Sequence, residues 1–441
     1  MATTITNVTE LQAMENDLDG DYVLGNNIDA SETETWNINN GFIPIGFYGT
    51  PFSGTFVGND KTISDLWSRR STADHVGLFG KVDGATIQNV TLADFTIIGE
   101  DKVGSLVGEA DNSTISDVAV TGTSVTSSAT AASGYAGGLI GDANTCIISR
   151  CSTTGSVFSS KWYTGGLIGA CYSSIIGQCY SVASITSSHD YNGGLIGLSW
   201  ANDIDNCHAR GDVTGDQYIG GLIGYSYDSI DDCYSTGKVT GNYAVGGLIG
   251  RNTGTVTNCF WDITTSGTET SDGGTGYATA TMLLFATYGN AGWNIGNVDT
   301  TRNDGYPFLS WEIGEGDTIW KIFGEGVYSF NFPDLMDNKG RHPKNARLRA
   351  YRTDVYGEPY IIEEQYTDHN GTATFSKLPI GIGAVFQAVW GGKSGTGNEE
   401  WFFLRVNDIE DGGTGAATAA GALDNLGVHG AAIMWELILG D

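Results

Sequence analysis

A G-L-x-G signature recurs seven times in the first half of this 441-residue chain at a nearly fixed step. It reads Gly77-Leu78-Phe79-Gly80, Ser105-Leu106-Val107-Gly108, then Gly-Leu-Ile-Gly from Gly138, Gly166, Gly194, Gly221 and Gly247. The steps are 28, 33, 28, 28, 27 and 26 residues. One unit of that size cannot bury its own apolar face, so a fixed period of this length implies stacked coils. The chain carries 65 Gly but only 7 Pro, without a collagen triplet, which suits many tight corners between short strands.

Other residues keep the same period. Cys151, Cys179, Cys207, Cys233 and Cys259 occupy one position, which Val90 and Val118 hold in earlier coils. A site that accepts Val or Cys is small, apolar and buried. Three residues upstream run Ile87, Ile115, Ile148, Ile176, Ile204, Ile230 and Val256, and about six downstream run Val157, Ile185, Val213 and Val239. Short apolar stretches divided by Gly, Asn, Asp and Ser predict a parallel β-helix, an all-β solenoid of about seven coils. Cysteines stacked on adjacent rungs point the same way, so they are expected as free buried thiols. With no C-x-x-C pair and scattered His, no metal site is expected.

Residues 1–311 resemble the GLUG-motif β-solenoids, a family named for this repeat. Asn7-Val8-Thr9-Glu10 reads as a capping box opening a short helix that ends near Asp17. Tyr22-Val23-Leu24, Ile28-Asp29, Ile43-Pro44-Ile45-Gly46 and Phe52 to Ile63 resemble the family's first coils, and Gly305 to Trp311 its closing segment. The resemblance implies a scaffold or adhesive role on bacterial or phage surfaces and no particular reaction.

The domain organisation expected is a cap with first coils over 1–76, the repeat solenoid over 77–260 and its closing cap over 261–311. A small antiparallel β-sandwich follows over 312–408, and a linker with an assembly segment over 409–441. Strand-like alternation in Tyr328–Phe332, Ala346–Tyr351, Ala384–Trp390 and Trp401–Val406 carries the sandwich. The stretch Thr367 to Gly381 resembles transthyretin-like modules. Gly412-Gly413-Thr414-Gly415 to Val428 resembles a linker-and-helix segment of phage tail fibres. Leu423, Leu426, Ile433, Trp435 and Leu437 are the assembly candidates, since a terminal apolar run needs a cover, here a sister subunit or partner.

The net charge of −30 is spread along the chain and disfavours nucleic acid and anionic membrane as partners. Met1-Ala2-Thr3-Thr4 leads into polar sequence with no membrane-length apolar run, so synthesis in a cytoplasm without a secretory signal is expected.

Two sets of side chains are site candidates. Tyr172, Trp200 and Tyr227 lie three residues after the last Gly of their motifs, and Tyr135, Tyr163, Tyr191 and Tyr218 lie two before the leading Gly pair. Such ladders offer stacking surfaces for sugar rings, or stack on one another and stiffen the sheet. Tyr180, His208, Tyr234 and Phe260 follow or replace the residue after an inward Cys and are expected to face outward. The carboxylates Asp203, Asp205, Asp228, Asp231 and Asp232 sit in Asn/Asp-rich corners and read as turn caps, not as a polysaccharide-cleaving pair. No nucleophile elbow or phosphate loop is present in the sequence, and no cofactor is expected. The expectation is a non-enzymatic virion protein of a bacteriophage: a fibre, spike or decoration subunit. It would form a homo-oligomer with other virion proteins and contact host-surface glycans. The alternatives are a bacterial surface adhesin and a polysaccharide-degrading tailspike.

Overall fold

The computed structural model describes residues 2–128, 134–293, 295–297, 305–309 and 311–312. Beyond them it describes the strands Trp320–Ile322, Glu325–Asn331, Arg347–Thr353, Pro359–Tyr366, Thr372–Pro379, Val385–Val389 and Leu404–Arg405. Two compact units emerge, one of residues 1–293 with 301–306 and one of 294–300 with 307–441.

The first unit is a parallel β-solenoid. One coil shows how the repeat is built: strands Ile168–Tyr172, Ile175–Gly177, Tyr180–Ser181, Ser184–Ser187 and the returning Asn192–Gly193. Each pairs in parallel with its counterpart one coil later, Ile168 with Ile196, Ile176 with Ile204, Tyr180 with His208, Ile185 with Val213 and Gly193 with Gly220. The strands following the G-L-x-G motifs form a seven-stranded sheet, from Phe79–Asp83 to Ile249–Asn252. The Leu of every motif, from Leu78 to Leu248, is fully buried.

The motif glycines answer to crowding between coils. A Cβ on Gly194 would meet the Gly221 carbonyl oxygen inside contact distance, and one on Gly197 would meet that of Gly169. The N–H groups of Leu195 and Ile196 both donate to the Leu222 carbonyl, at 2.8 and 3.1 Å, so the backbone bends sharply here. A second corner is set by left-handed residues: Asn89, Asp117, Arg150, Gln178, Asn206, Asp232 and Asn258 all have φ between 48° and 56°. Each stands directly before the Val or Cys of the buried column. Asn and Asp tolerate this conformation best, and they fill five of the seven positions. All seven cysteines are free and buried.

The ends of the solenoid are closed differently. At the start, the helix Val8–Ala13 buries Val8 and Leu11, and Asn7 accepts the Glu10 N–H at 2.9 Å. The Glu10 carboxylate returns to the Thr6 N–H at 2.7 Å, one residue earlier than a capping box requires. At the far edge the loop 270–272 takes up the strand bonds. Gly247 N–H donates to the Thr270 carbonyl at 2.8 Å, Ile249 N–H to Ser271 Oγ at 2.9 Å and Asn252 N–H to Asp272 Oδ2 at 2.9 Å. Such side-chain acceptors end the ladder, since they offer no further strand.

The expectation that Tyr234, Phe260 and His208 face solvent is corrected. Alternation does turn Tyr234 and Phe260 out of the coil, but the closing segment folds back over them. Tyr288, Trp293 and Tyr306 pack on Tyr234, each with ring centroids 6.2 Å away, and Tyr288 and Trp293 also contact Phe260. Tyr306 donates to Asp262 Oδ2 at 2.6 Å and Trp293 Nε1 to the Asn258 carbonyl at 2.7 Å. His208 stacks between Tyr180 and Tyr234, 5.0 and 4.9 Å from each, and is buried.

In the second unit, Ile295–Asn297, Trp320–Ile322 and Phe308–Leu309 form a three-stranded sheet. Glu325–Asn331 pairs antiparallel with Thr372–Pro379. Arg347–Thr353 lies between Pro359–Tyr366 and Val385–Val389, both antiparallel, with Leu404–Arg405 at the edge. The assembly candidates Leu423, Leu426, Ile433, Trp435 and Leu437 lie outside the described residues, as does the tail-fibre-like stretch.

Candidate functional site

Two columns of side chains meet on the face formed by the seven-stranded sheet and the corner before it. In the sheet, Lys81, Glu109, Asp142, Ala170, Leu198, Tyr225 and Arg251 stand in register on successive coils. At the corner, His75, Lys102, Tyr135, Tyr163 and Tyr191 each precede the returning strand or bridge of their coil, and Tyr218 lies in the matching place within the strand Gln217–Gly220. His75, Lys102, Tyr163, Tyr191 and Tyr218 all adopt left-handed backbone, with φ from 53° to 63°. That conformation throws each side chain over the edge of the sheet. The corner column changes along the solenoid from ionic to aromatic, while the sheet column runs from ionic through Ala170 and Leu198 to Tyr225 and Arg251.

The ionic end is a closed network. Glu109 accepts from Lys81 at 2.8 Å, from Lys102 at 2.8 Å and pairs with His75 at 2.6 Å. Lys81 also bonds Asp111 at 2.7 Å, and Lys102 bonds Asp142 at 2.9 Å. Burial alone would raise the Glu109 carboxyl, but bonds from His75, Lys102 and Lys81 outweigh it and hold the group well below the usual carboxylate range. Burial likewise opposes the charge on Lys102, and Asp142 with Glu109 overcomes it and raises the amine. At Asp142 burial wins over Lys102 and the carboxyl moves up. Its Oδ1 is buried without a hydrogen-bond partner.

The aromatic end begins where Lys102 Nζ lies 5.8 Å from the Tyr135 ring centroid. Tyr135, Tyr163, Tyr191 and Tyr218 then stack face to face, with centroids 4.9, 5.1 and 5.1 Å apart. Each of these rings covers its neighbour's face, so the column presents edges and hydroxyls. Trp200 and Tyr227 form a second stack, 4.3 Å apart and tilted by 32°. Trp200 is 50% exposed and Tyr227 38%. Tyr172 aligns with Trp200 in the sheet but is half-buried, and burial, with Tyr135 next in strength, raises its hydroxyl. Tyr225 links the two stacks, 4.8 Å from Tyr227 and 5.4 Å from Tyr218. Tyr243, 59% exposed, sets its ring edge-on to Tyr218 at 5.8 Å.

The structure thus places all six sequence-derived glycan candidates on one face, in three environments: a mutual stack, an exposed pair and the half-buried Tyr172. Sequence reasoning missed Tyr225, Tyr243 and the whole ionic network. The signal for the network was present, since Lys81, Glu109 and Asp142 each directly follow the last Gly of a motif.

The corner carboxylates form local bonds. Asp228 Oδ1 accepts the Asn202 N–H at 2.9 Å, and Asn202 Oδ1 in turn accepts that of Ser174 at 2.8 Å. Ser174 Oγ continues this polar ladder to the Cys146 N–H at 2.8 Å. Asp205 Oδ2 accepts from Asn206 at 2.6 Å, and Asp231 Oδ1 accepts the Asp232 N–H at 3.1 Å. Among the described residues no group of three or more His, Cys, Asp or Glu could hold a metal ion. None of their helices is long and apolar enough to cross a membrane.

Comparison with known proteins agrees with the repeat and alters the expected role. The GLUG motif is matched at residues 215–240 and 241–261. Residues 4–122 match the M26 IgA1-specific metallo-endopeptidase N-terminal region. Halomucin of Haloquadratum walsbyi is 41% identical over 109 residues, which is 23% of this chain and 1% of that protein. An immunoglobulin A1 protease of Streptococcus sanguinis is 34% identical over 123 residues, 27% of this chain and 6% of that protein. The chain therefore spans a small fraction of both curated relatives. A Bacteroides ovatus crystal structure, described as a candidate immunoglobulin A1 protease, superposes with a TM-score of 0.46 and 20% identity, covering 58% of this chain and 84% of that one. The expected phage virion subunit is overturned, because the similarity of residues 4–122 runs to the N-terminal region of a cellular endopeptidase family. The chain carries GLUG motifs on a β-solenoid.

Proposed function

We propose that this chain is a length of adhesive scaffold displayed at a microbial cell surface, and that it binds rather than catalyses. The observation that carries this reading is the exposed Trp200–Tyr227 stack, set on coils whose own Tyr column is already packed. A ligand meeting that pair finds it preorganised, so little ordering entropy opposes contact. The similarity of residues 4–122 to an N-terminal region of IgA1-specific endopeptidases supports placement outside the cytoplasm, because immunoglobulins are encountered there. The corner carboxylates favour binding over hydrolysis, since Asp205, Asp228 and Asp231 are engaged in local turn bonds.

The test is adhesion of the purified chain, coupled to beads, to host epithelial cells. A Trp200→Ala/Tyr227→Ala variant is expected to lose most adhesion while its melting temperature holds. Undiminished adhesion would remove this face from the function. Reducing ends released from cell-surface glycans, and lost in Asp203→Asn/Asp205→Asn, would establish catalysis instead.

A further inference from the structure

The aromatic contacts do more than form two ladders. Trp200, Tyr227, Tyr225, Tyr218 and Tyr243 make one unbroken track, with successive ring centroids 4.3, 4.8, 5.4 and 5.8 Å apart. The track crosses from the sheet to the corner, and its two ends are its most exposed rings, Trp200 at 50% and Tyr243 at 59%. Tyr227, at 38%, stands between them. The other two rings are half-buried and support these three from beneath. Rigid Tyr and Trp rings give contact area at little entropic cost, and each carries a polar atom that remains wet.

We infer that this track is a binding strip for an unbranched, uncharged glycan, laid from Trp200 past Tyr227 to Tyr243. The inference rests on the adhesive reading above and specifies its ligand. Three observations favour this class. First, the track offers three exposed rings, Trp200 and Tyr227 with centroids 4.3 Å apart and Tyr243 beyond them, so an extended chain of sugars touches more than one ring at once. Second, no residue of the track is charged. Third, its flank is acidic. Asp190 lies next to Tyr191 in sequence, and burial together with the neighbouring Asp216 charge raises its carboxyl. The cation in register with Tyr225, Arg251, has its Nε 3.7 Å from Asp272. An anionic polysaccharide would meet repulsion at the corner that holds Asp190 and Asp216, on a chain of net charge −30.

The experiment is calorimetric titration of the full chain with neutral oligosaccharides of two to six units (chito-, cello-, manno- and β-1,3-gluco-series), with hyaluronan oligomers as the anionic control. Affinity for at least one neutral series is expected to rise about two- to tenfold for each added sugar up to about four, then level off. Tyr243→Ala should remove the gain from the last sugars while leaving disaccharide binding unchanged. Trp200→Ala should weaken every length. Melting temperatures of both variants should match the parent, since both rings are exposed. Binding that ignores chain length, or hyaluronan bound as tightly as the neutral series, overturns the inference and leaves the adhesive reading standing. So does a complete lack of binding to every series by a chain that still adheres to cells through Trp200 and Tyr227. Loss of both glycan binding and adhesion would end both readings together.

Discussion

The backbone N–H of Cys179 donates to the sulfur of Cys207 at 3.4 Å, one coil away. The same bond joins Cys151 to Cys179, Cys207 to Cys233 and Cys233 to Cys259, at 3.4–3.5 Å. Each thiol also lies 3.0–3.3 Å from the carbonyl two residues before it, to which it donates. Cys179, Cys207, Cys233 and Cys259 therefore each serve both as donor and as acceptor, which Val at the same column cannot do. The side chains run parallel along the solenoid and remain reduced although they are adjacent.

Thiol chemistry should follow from this burial. Burial pushes the thiols of Cys151, Cys179 and Cys233 well above their ordinary range, and reagents need the thiolate. At Cys207 burial is outweighed by bonds with Cys179 and Cys233, which lower the thiol to about 6, so there it is the closed coil that keeps reagents out. In native buffer, a disulfide reagent is expected to modify none of the five ladder cysteines, with all reacting together on unfolding. Rapid native labelling of Cys179, Cys207 or Cys233 would show that the column faces outward. Cys207→Ala removes the acceptor of the Cys179 N–H and leaves a void, for a loss of about 1–3 kcal/mol. Cys207→Val should lose less, because it fills the space as Val90 and Val118 do.

Glu109 is the centre of the ionic network, and Glu109→Gln leaves Lys81 and Lys102 with a weaker acceptor in a largely buried site. A loss of about 3–5 kcal/mol is expected. The pH dependence has a definite sign. A depressed folded pKa makes Glu109 stabilising above its unfolded value of about 4.3, and that contribution disappears as pH falls toward the lower folded value. Asp142 acts oppositely: its carboxyl is raised, so it disfavours the fold when charged, and protonation from above its unfolded pKa downward relieves that. Thermal melts should show little change from neutral pH to about 5, then a steep decline below about 4 that Glu109→Gln makes shallower. A parent and variant with identical acid limbs would place the acid sensitivity elsewhere.

Gly194 tests why the motif needs glycine. A methyl group there would press on the Gly221 carbonyl of the next coil and on Ala209. Gly194→Ala should destabilise by about 1–3 kcal/mol through overpacking, although Ala is ordinarily the better-ordered residue. A neutral or stabilising substitution, measured by urea unfolding, would mean the coils can part without loss.

Tyr191 stacks between Tyr163 and Tyr218 on a left-handed backbone with φ of 63°. Tyr191→Ala should lose about 1–3 kcal/mol, two stacking contacts at about 0.5–1.5 each. Tyr191→Gly should recover about 1 kcal/mol of that, because glycine adopts this conformation without the Cβ conflict. Equal losses in the two variants would show that the backbone is not strained there.

The solenoid is legible in the chain's periodicity alone. The Leu, Ile and Cys columns repeat because every coil must bury the same positions, and the motif glycines repeat because the coils approach equally closely at each turn. Asn and Asp before Cys207, Cys233 and Cys259 mark a left-handed corner for the same local reason. Those constraints are short-range and periodic, so one dimension suffices to read them. Tertiary structure alone decided what lies outside the coil. Tyr234 and Trp200 both follow the repeat and both leave the coil, yet Tyr234 is buried by Tyr288 and Trp293 while Trp200 remains half exposed. Nothing in either residue's own coil distinguishes them. The difference comes from a closing segment more than 50 residues beyond Tyr234. Tyr172 is less exposed than Trp200, its register partner one coil on. Inward positions answer to a repeating environment; outward ones answer to whichever distant segment the chain brings back.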